Sequence, residues 1–186
     1  PGEIVGALKG YLESGEYRVM GHRGTADAGL TVLANIQIGS DGYPTNKFIL
    51  QDLPPFMQET ALIDRFHGIL PGWLLPRIQK SSLLSTGYVL RSDYFSEILH
   101  LLRNRPEHSD FVKSHIHSTS DIRDVRAVER ISTGLLKLLY PDLRVSIDEF
   151  ERYCVETGKE LRGLLREQMA IKDSEYKRSI ATIEVI

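Results

Sequence analysis

Apolar residues recur at helical spacing from the start of the chain. Ile4, Val5, Leu8 and Leu12 fall on one face of a helix predicted over residues 3–14. Ser14-Gly15 ends it, because glycine closes a helix in the left-handed region at little cost. Residues 16–24 (EYRVMGHRG) set short β-prone stretches beside glycines and read as a hairpin. Residues 28–36 (AGLTVLANI) form a near-continuous apolar run with β-branched members. Such a run suits a strand buried on both faces of a parallel sheet, and it closes on the polar Asn35. Residues 39–52 read as loop from their Gly, Asp, Pro and Asn content. Pro54-Pro55 opens a short helix running through Arg65. Residues 66–70 read as a second short strand, broken by Pro71, Gly72 and Pro76.

From about residue 86 the periodicity is helical throughout. Tyr94, Phe95, Ile98 and Leu102 mark one apolar face. Val125, Val128, Ile131, Leu135 and Leu139 mark another, stopped by Pro141. Ser146 followed by Glu149 is the signature of a capping box, and it opens a helix whose apolar stripe is Ile147, Phe150, Cys154, Leu161, Leu164 and Leu165. The expected fold class is mixed α/β and mostly α: an α/β portion over 1–76 and a helical bundle over 77–186.

A chain of 186 residues with 41% hydrophobic positions can bury a core in one domain or two small ones. A net charge of −2 excludes a global basic field for nucleic acid. No apolar run approaches the roughly 20 residues needed to span a bilayer, so no membrane partner is expected. No secretory signal is visible, and one cysteine excludes an internal disulfide; both point to the cytoplasm. Pro1 opens directly into an amphipathic pattern, as expected of a piece of a longer polypeptide.

Several residue types carry possible chemistry. His115-Ile116-His117 could present two metal ligands on one strand face, but no third ligand cluster supports them, and no metal site is expected. Cys154 could act with a histidine, yet its place on the apolar stripe makes it a packed thiol. Trp73 reads as a core or interface anchor. The charged run from 156 to 178 reads as a solvated helix face. No G-x-x-x-x-G-K-[ST] occurs, so nothing in the chain cradles phosphates as a P-loop does. No acidic pair closes an apolar strand to hold Mg²⁺.

Three segments in order carry a resemblance: TVLAN at 31–35, ALIDRFHGILPGW at 61–73 and DIRDVRAVERISTGLLKLLYP at 121–141. Together, over most of residues 3–170, they resemble the C-terminal half of an AAA+ ATPase module of the Lon-related type, with the Lon-like proteins of BREX-type phage-defence systems as the nearest kin. The resemblance implies a partial AAA+ α/β core over 1–76 and a helical lid over 77–186. It implies that Asn35 is a sensor that orients the attacking water, and that Arg65 is an arginine finger serving the next subunit. Arg126, with Arg123 one turn earlier as fallback, is implied as the lid sensor. An always-cationic planar guanidinium suits the charge that develops on a transferring phosphoryl group. The plainer roles are a loop-capping Asn35, an ion pair of Arg65 with Asp64 or Glu59, and solvated lid arginines.

In ring ATPases of this branch a hairpin before the sensor strand points into the pore. Here it spans about 16–27 and carries Arg18, His22 and Arg23, which suit a nucleic-acid backbone; Tyr17 and Met20 could grip a polypeptide instead. ATP and Mg²⁺ are expected in the full-length parent, with phosphate loop and acidic segment upstream of Pro1 and any Ser–Lys protease domain beyond Ile186. This piece alone is expected to be inactive and to hold no cofactor tightly. Partners implied are other subunits of a ring and a polypeptide or DNA substrate. The competing function is a non-enzymatic helical adaptor for nucleic acid or protein.

Overall fold

In a computed structural model the described residues are 2–77, 87–119, 121–180 and 182–186. About 51% of the described residues are helical and the sheets are small and antiparallel, so the fold is mixed α/β and mostly helical. Helix α1 (Gly2–Ser14) runs into an antiparallel hairpin of β1 (Glu16–Val19) and β2 (His22–Thr25). Gly15 joins them at φ +74°, and its N–H returns to Tyr11 O at 2.8 Å, the left-handed helix ending that the sequence announces. The hairpin turns on Met20 (φ 50°) and Gly21 (φ 79°), a two-residue loop with both φ positive, as tight right-twisted hairpins require.

Residues 28–36 correct the sequence reading. They pair with no strand among the described residues, and the apolar side chains face solvent, with Leu33 93% exposed. A parallel strand is stable only with a neighbour's ladder and covered faces; β1 and β2 satisfy each other, and no other described strand adjoins this segment. Residues 66–70 likewise form no strand. Their backbone is claimed instead by Leu161, whose carbonyl accepts from Ile69 N at 3.0 Å.

Pro55–Gln58 makes a 3₁₀ turn and α2 (Thr60–Ile63) a single helical turn. The bundle contains α3 (Ser92–Arg103), α4 (Glu107–His115) and α5 (Ile122–Leu139), then one rod made of α6 (Ile147–Phe150), a π turn (Glu151–Val155) and α7 (Glu156–Lys172). The Ser146–Glu149 box is complete: Ser146 Oγ accepts from Glu149 N, and Glu149 Oε2 accepts from Ser146 N at 3.0 Å. A sheet not foreseen, β3 (Ile116–Ser118) against β4 (Ile183–Val185), closes the end of the bundle.

Two apolar cores result. Val112, Val128, Leu136, Phe150, Cys154, Val155 and Ile183 form the first, inside the bundle. Ile63, Leu165 and Met169 form the second, with Leu50, Phe66, Ile69 and Tyr176 packed on it. On α5 the buried face is Asp124, Ala127, Val128, Ser132 and Leu136. The apolar stripe read from the sequence is therefore rotated by about one residue, because two polar side chains stand on the inner face. Phe150, Cys154 and Leu165 of the rod's apolar stripe are buried, while Ile147 is 41% exposed. Where the two long helices cross, a Cβ on Gly158 would meet Ser132 Oγ and Val128 Cγ1 at 3.3 Å, so the missing side chain sets how closely they approach.

Candidate functional site

The polar side chains on the inner face of α5 have a purpose in a buried charge network. Asp124 sits in the first turn of α5, where the helix N-terminus favours a carboxylate, and is 1% exposed. Arg162 on α7 is 0% exposed. Arg162 Nε donates to Asp124 Oδ1 at 2.7 Å, and its Nη2 donates to Asp64 Oδ1 at 2.7 Å. Its Nη1 donates to two main-chain carbonyls, Asp64 O at 3.0 Å and Phe66 O at 2.7 Å. The second oxygen of Asp64 accepts from Arg123 Nη1 at 2.8 Å. The second oxygen of Asp124 lies 3.6 Å from Arg166 Nε, an ion pair without a hydrogen bond. Each carboxylate oxygen thus meets a guanidinium, which is the condition under which buried charges are tolerated.

This network surrounds the segment containing Arg65. Arg65 is held against α1: its Nε and Nη2 donate to Glu13 Oε2 at 3.1 and 2.8 Å, and Nη1 donates to Ala61 O. The ion pair weighed from sequence against Asp64 or Glu59 is therefore made with Glu13, while Asp64 is committed to Arg123 and Arg162 and Glu59 accepts from Lys9. His67 follows at half-buried depth, with its Nε2 2.8 Å from Arg130 Nη1. Burial, with the Arg130 and Arg162 charges, pushes the imidazole down to about 4, so His67 is neutral near pH 7 and Nε2 accepts from Arg130. The hydrogen bond to Asp64 holds the Arg123 guanidinium above its ordinary range.

The remaining residues lie apart. Asn35 is exposed in coil. Arg126 is exposed on α5 and makes no ion pair among the described residues. Arg123 is the one tied to the network. Arg18 and His22 are exposed on the hairpin, and Arg23 pairs with Glu16 at 2.6 Å across the strands. A groove of about 640 Å³ runs between α1 and this hairpin, lined by Glu3, Gly6, Gly10, Tyr17 and Arg18 among others, and is separate from the arginine network. Asn35, Arg65, Arg123 and Arg126 carry donors of the types that bind phosphate, an amide and guanidiniums, but they lie apart and enclose no phosphate cradle within the described residues.

His115 and His117 do not form a ligand pair. His115 ends α4, stacked on Phe111 with Nδ1 2.8 Å from Phe111 O, and His117 lies on β3 opposite Glu184. Cys154 is buried in the first core, and burial raises its thiol to about 11. Trp73 is half-buried in a 3₁₀ turn (Gly72–Leu74).

Arg162 is the residue that sequence reasoning missed, because the run from 156 to 178 reads as a solvated face. A signal was present. Gly158, Arg162, Leu165 and Met169 recur at spacings of four, three and four, and all are buried.

The family model of the Lon-like protease BrxL-like ATPase domain matches residues 1–182. The chain belongs to this family. The Lon-like protease BrxL of Escherichia coli O9:H4 (strain HS) is 30% identical over 167 residues, 89% of this chain and 24% of that protein. The Lon-like protease BrxL of Bacillus cereus (strain H3081.97) is 27% identical over 165 residues, 86% of this chain and 24% of the relative. The chain thus spans about a quarter of the length of the BrxL-type relatives it matches. Membership in a Lon-like ATPase-domain family supports an ATPase role. Among the described residues no helix is long and apolar enough to cross a membrane.

Proposed function

We propose that this chain is the sensor and arginine-finger portion of an ATP-driven Lon-like ring protein. The observation that carries the reading is the match to a BrxL-like ATPase domain across residues 1–182. In this reading residues 1–76 complete the large α/β subdomain and 77–186 form the lid. ATP and Mg²⁺ are held mainly by residues outside the chain, since it contains no phosphate loop. Arg65 reaches the nucleotide of the neighbouring subunit, where its guanidinium stabilises the charge that builds on the transferring phosphoryl group. Asn35 orients the attacking water. Arg126, exposed and without an ion pair among the described residues, senses nucleotide from the lid, with Arg123 beside it. The hairpin residues Arg18, His22 and Arg23 meet the polypeptide or DNA threaded through the ring, in a cytoplasmic phage-defence setting.

The Arg65–Glu13 pair supports a switchable finger. Glu13 is half exposed, so the pair is a weak surface interaction that a more highly charged phosphate partner displaces. The test is Arg65→Ala in the full-length protein. Turnover is expected to fall by about 10³-fold or more with ATP binding retained, the magnitude that arginine fingers contribute elsewhere. Unchanged turnover would remove the assignment.

A further inference from the structure

Within α2 Arg65 is held only by bonds to its own preceding turn, Nη1 to Ala61 O and its N–H to Leu62 O. The helix is one turn, Thr60–Ile63, too short to hold its own end. Rigidity is supplied from α7. Arg162 donates to the carbonyls of the residues on either side of Arg65, Asp64 O at 3.0 Å and Phe66 O at 2.7 Å, and also to the Asp64 carboxylate. The same guanidinium takes Asp124 of α5 at 2.7 Å. One side chain with no solvent exposure therefore clamps the backbone that bears Arg65 and references it to the helix bearing Arg123 and Arg126. Stability alone does not call for this arrangement, since well-packed apolar side chains serve a core as well or better. A planar guanidinium with its donors in a fixed fork, by contrast, sets direction, which a lysine ammonium on a flexible stem cannot do.

We propose that Arg162 is a positioning residue for Arg65: it fixes how Arg65 leaves α2 and ties that direction to the face of α5. The proposal rests on the reading of Arg65 as a group that acts on a neighbouring subunit.

The experiment uses the full-length protein carrying Arg162→Lys. Its kcat for ATP hydrolysis is expected to fall by about 10- to 100-fold, as for a misplacement of about 1 Å, with KM for ATP nearly unchanged. Subunits with Arg162→Lys are then mixed with subunits whose phosphate loop is disabled but whose residues 1–186 are intact. The mixture is expected to regain activity, because an intact subunit lends its Arg65 to the working nucleotide site of its neighbour. Arg65→Ala is run in the same mixture. If Arg65→Ala is rescued and Arg162→Lys is not, the positioning role is overturned while the reading of Arg65 stands. If Arg65→Ala is not rescued, the trans reading falls and the proposal with it.

A second readout does not depend on turnover. The amides of Arg65 and Phe66, which donate to Leu62 O and Ile63 O, are expected to exchange hydrogen about tenfold faster in Arg162→Lys, with the middle of α5 unaltered. Unchanged exchange at these two amides also overturns the proposal. Should Arg162→Lys fail to fold, Asp124→Asn releases the clamp from α5 and is read by the same mixing and exchange measurements.

Discussion

Arg162 and Asp124 face each other across two helices with a 2.7 Å hydrogen bond and almost no solvent contact on either side chain. Removing one member would leave the other charged, buried and unpaired. Arg162→Met is accordingly expected to cost about 3–5 kcal/mol, a large share of a typical domain's stability of about 5–15 kcal/mol. Urea unfolding of the chain reads the loss directly. A cost under about 1 kcal/mol would mean that the two aspartates are accommodated as well without the guanidinium as with it.

Ser146 supplies a separate and smaller contribution. Its hydroxyl and the Glu149 carboxylate satisfy two main-chain donors at the head of α6, and the Ser146 N–H and hydroxyl, both donating to Glu149 Oε2, hold Glu149 below the usual carboxylate range. Ser146→Ala is expected to lower stability by about 1 kcal/mol. The same substitution at Ser109, whose hydroxyl only donates to Pro106 O, is the control and should change little.

His67 makes stability depend on pH. Its folded value of about 4 lies below the ordinary 6.5, so between those values the unfolded chain binds a proton that the folded chain refuses. More protons on the unfolded state means that stability rises with pH through this window and is lost as the solution is acidified. His67→Gln should flatten that slope. Urea midpoints at about pH 4.5 and about pH 7, compared between the two proteins, measure it. Equal slopes would show that His67 protonates as freely in the folded chain as outside it.

Cys154 is buried in the first core with its thiol raised to about 11. The thiolate is the reactive form, so iodoacetamide at mildly alkaline pH is expected to leave the folded chain unlabelled and to modify it at the rate at which the fold opens. Rapid labelling without denaturant would place Cys154 in an accessible site and revive a nucleophilic role.

Much of the secondary structure was legible because it depends on neighbours in sequence. Gly15, the Met20-Gly21 turn and the Ser146–Glu149 box each act within a few residues. The hydrophobic spacing of residues 94–102, 125–139 and 147–165 marked α3, α5 and the rod, whereas α4 carries no separate stripe in that reading. Non-local pairing was not legible. Residues 28–36 have strand composition but no partner among the described residues, and β3 and β4 meet across more than sixty positions with three residues each. The α5 stripe was read out of phase because apolarity was taken as the mark of burial, whereas Asp124 and Ser132 are inside. Arg162 escaped for the same reason: a buried arginine looks like a surface one until its two aspartates, 98 and 38 positions away, are brought to it. The resemblance located Arg65 next to this network, and folding alone disclosed what surrounds it.

The π turn at Glu151–Val155 explains how one rod serves both cores. Phe150 just before the turn and Cys154 within it look into the bundle; downstream, Arg162, Leu165 and Met169 look toward residues 47–70. A π turn holds one residue more than the α-helix it replaces, and each residue turns a helix through about 100°. The extra residue is thus a phase shifter between two otherwise independent faces. Were Glu151–Val155 wound as ordinary α-helix, both helices and every side chain would remain, yet Arg162 would turn through about 100° and point at the wrong quarter of the molecule.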